Sequence, residues 1–171
     1  MSTTADRLMD LAEAHIRHAG YNGFSFRDLA AEGGVKSSSV HHHFPTKAQL
    51  AATVTRRYTA SVLAAIAEAV DVGGAEPVVA YRSLFRDALR ADGGMCLGGA
   101  LGAEIQGLPA EVAFMAGEFF RSLADDLTHR LDTAGPRARA LHILATLEGA
   151  LILARSLGDV DAFDQATAAL G

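Results

Sequence analysis

The sequence predicts an all-α protein: an N-terminal three-helix helix-turn-helix head joined by a long helix to a C-terminal helical bundle, about nine helices in all. Three observations point there. Gly- and Pro-bearing breaks divide the 171 residues into pieces whose apolar positions recur at helical spacing. Ala and Leu dominate while Trp is absent, a composition that leans towards helix. Nothing before Gly73 reads as a strand.

The elements follow in order. Leu8, Leu11, Ala12, His15 and Ile16 share one face of a first helix from about Thr4 to Ala19, which Gly20 stops. Ser25 caps a second, about Phe26 to Ala31, with Asp28 three residues on making a variant capping box. Gly33-Gly34 ends it, and a short third helix runs from about Ser37 to Phe44. Thr46 and Gln49 form a capping box for a fourth that continues to about Val70. Beyond "DVGGAEP", Pro77 opens a fifth, reaching about Ala91 and broken by "ADGGM". A sixth spans about Leu97 to Ile105, a seventh Pro109 to Thr133, an eighth Pro136 to Leu157, and a ninth Ala162 to Leu170. These group as a domain over residues 1–50 and a second over residues 51–171.

Bulk properties narrow the function. A single Cys excludes an internal disulfide and fits a reducing, cytoplasmic setting. The start, "MSTTADRLMD", lacks the basic and apolar regions of a signal peptide. The greasiest run, Ala138 to Leu157, is interrupted by His142, Thr146, Glu148 and Arg155 and makes a poor membrane span. Net charge is −5, but residues 1–60 carry seven Lys/Arg against five Asp/Glu, together with five of the seven His. A mildly basic head on an acidic body points to an anionic partner at one end. No G-x-S-x-G elbow, H-E-x-x-H pair or phosphate-cradling loop occurs, and "GGVKSSS" lacks the G-K-[ST] ending of a P-loop. The sequence therefore reads as a non-enzyme, with no cofactor expected.

The stretch "GGVKSSSVHHHFPTK", residues 33–47, carries most of the functional signal. His41, His42 and His43 would fan over roughly 200° of a helix and cannot converge on one metal ion. A disordered polar loop conflicts with the helical recurrence of Val35, Val40 and Phe44. A helix-turn-helix fits: those three face inward, while Ser37, Ser38, Ser39, His41 and His42 face outward. Small hydroxyl residues at a helix start allow close approach to phosphate, and a helix of this length can enter a major groove.

The head resembles the TetR family of bacterial transcriptional repressors. The likeness rests on Gly20, Ser25, Leu29-Ala30, Gly34-Val35, Val40-His41-His42-His43-Phe44, Lys47 and Leu50, in order and without a gap, over about a third of the chain. Two positions depart from the pattern. His41 stands where the family usually has Tyr, and Lys36 stands where it usually has a capping Ser. The resemblance implies double-stranded operator DNA as partner, with Ser25, Arg27, Lys36, Ser37, Ser38, Ser39, His41, His42, His43, Thr46 and Lys47 at the interface. Among these, His43 with Phe44 is expected to lock the third helix against the first. Lys47 either clamps a phosphate or stands as a solvated charge.

For the bundle, the resemblance implies a homodimer and an internal pocket for a small apolar or amphipathic ligand, whose binding shifts the fourth helix and releases a palindromic operator. Phe85, Leu89, Met95, Cys96, Phe114, Met115, Glu118, Phe119 and Glu148 are the candidate pocket residues. The eighth helix, "ARALHILATLEGALILARSL", is apolar nearly all round and needs a cover, which a second copy supplies. Leu141, Ala145, Gly149, Ile152 and Phe163 are the candidate dimer contacts. Glu148 either pairs within that interface or meets a ligand. Cys96 is either a small buried hydrophobe or the thiol of a redox- or electrophile-responsive regulator.

Overall fold

The computed structural model describes residues 3–92 and 94–170. Among them the regular structure is helical: α1 Thr4–Ala19, α2 Phe26–Glu32, α3 Ser37–His43, α4 Lys47–Ala67, α5 Pro77–Asp92, α6 Leu97–Ala103, α7 Ala110–Arg130, α8 Pro136–Leu157 and α9 Asp161–Thr167. Part of the "ADGGM" break, Gly93, lies outside the described residues. Short 3-10 turns at Tyr21–Gly23 and Ile105–Gly107, and a π-helical end to α4 at Glu68–Val72, are features the apolar period does not announce.

Local chemistry sets the helix ends. Thr3 and Asp6 close a capping box on α1, and Ser25 and Asp28 close one on α2, with the Ser25 N–H donating to Asp28 Oδ2 at 2.8 Å. Those hydrogen bonds to Thr3 and Ser25 hold both Asp carboxyls below their ordinary range. Of the box expected on α4, the Gln49 N–H to Thr46 Oγ1 bond forms, at 3.1 Å. Pro136 opens α8 after a left-handed Gly135, and a left-handed Gly158 closes it.

The chain forms two compact units. One comprises residues 1–58 and 97–119, the other residues 59–96 and 120–171. The head expected over residues 1–50 thus shares its unit with the start of α4, with α6 and with the first half of α7. Leu8, Ala12 and Ile16 of α1, Leu29 of α2, Val40 of α3, Leu50 and Val54 of α4, Leu97 and Leu101 of α6, and Val112 and Ala116 of α7 make its core. Arg57 of α4 reaches Asp10 at 2.8 Å and Glu13 at 3.1 Å on α1.

The second unit packs α5, the later part of α7, α8 and α9. Tyr81, Phe85, Leu89, Leu123, Leu127, Ile143, Leu147, Leu151 and Phe163 fill its interior. The Tyr81 hydroxyl lies 2.8 Å from Asp126 Oδ2 and 3.0 Å from the Leu123 carbonyl, tying α5 to α7, and burial raises its pKa. Arg130 bridges Asp126 and Asp71, and Arg86 of α5 pairs with Asp164 of α9. Among the described residues α8 is the helix long and apolar enough to cross a membrane. Its buried side, Ala140, Ile143, Leu144, Leu147, Ala150, Leu151 and Ala154, already packs within this unit.

Candidate nucleic-acid interface

The turn between α2 and α3 is built by Gly33-Gly34-Val35. Gly34 sits at φ 65°, in the left-handed region, and the Val35 N–H returns to the Ala30 carbonyl at 2.9 Å. Val40 and Phe44 are buried and Val35 is half-buried, so α3 is pinned along one side. The opposite side is polar: Lys36, Ser37, Ser38, His41 and His42 are exposed. Ser38 and His42 are one helical turn apart and share a face.

Two expected positions differ. Ser39 is half-buried rather than exposed. His43 is exposed; its ring stands 5.4 Å from that of His42 and 6.4 Å from that of Phe44, so Phe44 alone of the pair is buried. His41 is exposed too, but its ring meets Phe26 of α2 edge-on at 4.9 Å, which bridges the two helices of the motif. Lys36 occupies the N-cap position of α3 and makes no capping bond, leaving the first-turn N–H groups without a side-chain cap.

Ser25 and Arg27 lie at the start of α2 and Thr46 and Lys47 at the start of α4; Arg27 and Thr46 are exposed. Lys47 is neither a solvated charge nor an outward clamp here. Its ammonium donates to the Phe24 carbonyl at 2.7 Å and lies 4.6 Å from the Tyr21 ring centroid and 4.5 Å from that of Phe24. Burial lowers its pKa, with Glu104 and Asp28 opposing. The aromatic turn that receives it is the 3-10 segment, whose sequence "GYNGF" carries the signal in its Tyr and Phe.

The candidate ligand residues separate between the units. Phe85, Leu89, Met95, Cys96 and Glu148 belong to the second; Phe114, Met115, Glu118 and Phe119 belong to the first. Phe114 is 60% exposed, whereas Phe119 is fully buried. Phe119 packs on Tyr58 with ring centroids 5.8 Å apart, and on Gly98, where an added Cβ would fall 2.1 Å from its ring. Cys96 is buried, and Glu148 has both carboxyl oxygens buried without a well-formed hydrogen bond. Burial pushes the Glu148 pKa up to about 7, while the Cys96 thiol beside it pulls the other way.

Of the candidate dimer residues, Leu141 and Ile152 are each about half exposed and Ala145 is exposed. Nothing lies within 4 Å of a Cβ added at Gly149. They form one stripe along α8. Phe163 departs from the set, being fully buried under α8 as the anchor of α9 rather than on the outer face.

A helical head holding a short, outward-facing polar helix on a tight Gly turn is a DNA-binding helix-turn-helix. Residues 8–54 match the family model of the bacterial regulatory proteins of the tetR family. A TetR transcriptional regulator from Legionella pneumophila is 30% identical, with 99% of this chain and 96% of that chain covered and a TM-score of 0.91. A TetR family transcriptional regulator from Agrobacterium tumefaciens is also 30% identical, over 96% of this chain and 94% of that one, with a TM-score of 0.89. The reduced form of E. coli NemR shares the fold, at 18% identity over 98% and 95% of the two chains, with a TM-score of 0.85. No curated protein sequence matches significantly. The chain belongs to the TetR family of bacterial transcriptional regulators.

Proposed function

We propose that the protein is a homodimeric, cytoplasmic repressor that binds a palindromic operator and leaves it when a small amphipathic ligand enters its C-terminal domain. By function the chain divides at residue 50, with residues 1–50 reading DNA and residues 51–171 binding ligand and the second copy. The observation that carries this is the exposed face of Lys36, Ser37, Ser38, His41 and His42 on a helix whose other side is fixed in the core. Ser38 and His42 reach base edges, while Lys36, Ser37, Arg27 and Thr46 meet phosphates. Lys47 acts one step back, by holding the Tyr21–Phe24 turn against α4. α4, which runs on past the head, carries the ligand signal.

The dimer reading rests on the α8 stripe of Leu141, Ala145, Gly149 and Ile152. Small residues at its centre admit another helix closely, and large apolar residues at its ends need cover. Ligand response through a reactive Cys96 is disfavoured, because a carboxyl beside the thiol opposes formation of the thiolate. The test is a mobility shift with duplex DNA from the promoter flanking the gene. Binding by the wild type and its loss in both Ser38→Glu and His42→Glu are expected; retention in both variants rejects the reading.

A further inference from the structure

Glu148 stands where the helix pattern calls for a hydrophobe. On α8 it lies one turn from Leu144 and from Leu151, both buried, and next to the fully buried Leu147. Its stem is partly exposed, yet both carboxyl oxygens are out of water and make no well-formed hydrogen bond. Burying an acid this way costs more than burying Leu or Met at the same place. Buried polar groups are almost always satisfied, so an orphaned pair of acceptors marks a place where a donor is to come from elsewhere.

The surroundings say which donor. The elements packed on α8 bring charges: Arg82, Arg86, Asp87 and Arg90 on α5, Asp161 and Asp164 on α9, and Asp125 on α7, which pairs with Arg137 of α8. Arg86 pairs with Asp164 through Nη2, and its buried Nε makes no hydrogen bond. Burial and the Cys96 thiol, and no cation among the described residues, govern the state of Glu148. A thiol is a weak donor and leaves most of the acceptor capacity unused. The interior of the unit, with Phe85, Leu89, Leu144, Leu147 and Leu151, is apolar.

We propose that Glu148, with Cys96 beside it, anchors the ammonium group of an amphipathic organic amine whose apolar body lies among the surrounding hydrophobic side chains. The ligand brings the counter-charge that the described residues do not place at Glu148. A charge-assisted N–H to carboxylate bond in low dielectric is stronger than one to a neutral donor, so the site discriminates amines from alcohols of equal size. Carboxylic acids are rejected by like charge. The inference rests on the proposed ligand-responsive reading and gives its ligand a chemical class.

The test uses the intact dimer and three matched probes: octylamine, 1-octanol and octanoate, titrated by calorimetry near neutral pH. Octylamine is expected to bind about tenfold or more tightly than 1-octanol, with octanoate weakest. Glu148→Gln is expected to erase the preference for octylamine over 1-octanol. The free carboxyl is about half protonated near pH 7, so amine binding to the wild type should release about half a proton, read from titrations in two buffers of different ionisation enthalpy. Equal binding of amine and alcohol, or an amine preference that survives Glu148→Gln, overturns the proposal. Should the variant fail to fold, octylamine binding to the wild type no tighter than 1-octanol overturns it as well. A protein that shifts operator DNA but shows no amine preference sinks this inference alone; one that binds the amine but no DNA sinks the repressor reading alone.

Discussion

The Glu104 carboxylate occupies the space that a side chain on Gly20 would take: a Cβ built there falls 1.7 Å from Glu104 Oε1, while Oε2 accepts the Tyr21 N–H at 3.2 Å. Gly20 has φ 74° and ψ −173°, a region essentially reserved for glycine. The residue after α6 therefore caps the turn after α1, eighty-three positions earlier in the chain. Gly20→Ala must both strain the backbone and expel the carboxylate. It should cost about 1–3 kcal/mol or more, whereas Gly34→Ala, where nothing lies within 4 Å, should cost only the backbone part. Thermal melts of the two variants check the order: Gly20→Ala is the lower.

Lys47→Met keeps the aliphatic stem and removes the ammonium that joins α4 to the Tyr21–Phe24 turn. The lost bond to the Phe24 carbonyl and the two ring faces together are worth roughly 1–3 kcal/mol at this half-buried position. Denaturant melts should show that loss. Operator affinity should fall with less change in its salt dependence than a direct phosphate contact would give, because the ammonium points inward.

Much of this was legible in the chain. The capping pairs Ser25/Asp28 and Thr46/Gln49, the Pro136 start and the Gly158 stop are local signals, so α2, α4 and α8 begin or end where their residues say. The apolar face of α3 was legible for the same reason, since Val40 and Phe44 repeat at one turn. What escaped depends on partners distant in sequence. Nothing near Gly20 announces Glu104, and nothing near Lys47 says that its ammonium turns back to Phe24. A large aromatic on a buried stripe serves core and pocket alike, and the close approach of the Phe119 ring to Gly98 is a contact that Phe119's own helix does not announce. Phe163 is a candidate dimer contact by its place in the last helix, but that helix is short and buries the ring as its anchor.

DNA binding should separate two kinds of contact. Lys36→Ala removes an exposed charge beside the polar face of α3 and should lower affinity similarly for any duplex, with the salt slope reduced by about one. His42→Ala should instead relax preference among operator variants at one position in each half-site, at a cost of about 1–3 kcal/mol against the best sequence. Binding isotherms across a salt series and a single-base operator panel check both; a His42 variant that loses affinity uniformly would place that ring on phosphate.

Gly149→Leu tests the dimer stripe without disturbing the fold of one chain. A Cβ added there meets nothing within 4 Å in its own protomer, so a side chain starts into open space and the helix gains propensity. Across a close helix–helix contact the same side chain cannot be accommodated. Sedimentation should show monomers at micromolar concentration with the helical circular dichroism retained, and operator binding should weaken because two heads no longer arrive together.

The stability of the protein should depend on pH through Glu148. Burial raises its carboxyl in the folded state from 4.5 to about 7. The folded state therefore holds the proton more tightly than the unfolded chain does. The resulting stabilisation is fully present below about pH 4.5 and is lost as pH rises through 7, a change of at most about 3 kcal/mol. Gln cannot titrate, so Glu148→Gln should lack this component. Its own buried amide also wants partners, which makes its melting temperature at any single pH a poor guide. The difference between variant and wild type is the informative quantity: it should move in favour of Gln by several degrees between pH 5 and pH 8, while the shared Asp6 and Asp28 contributions cancel. A difference that stays flat across that range would mean that water reaches the carboxyl and that Glu148 keeps an ordinary pKa.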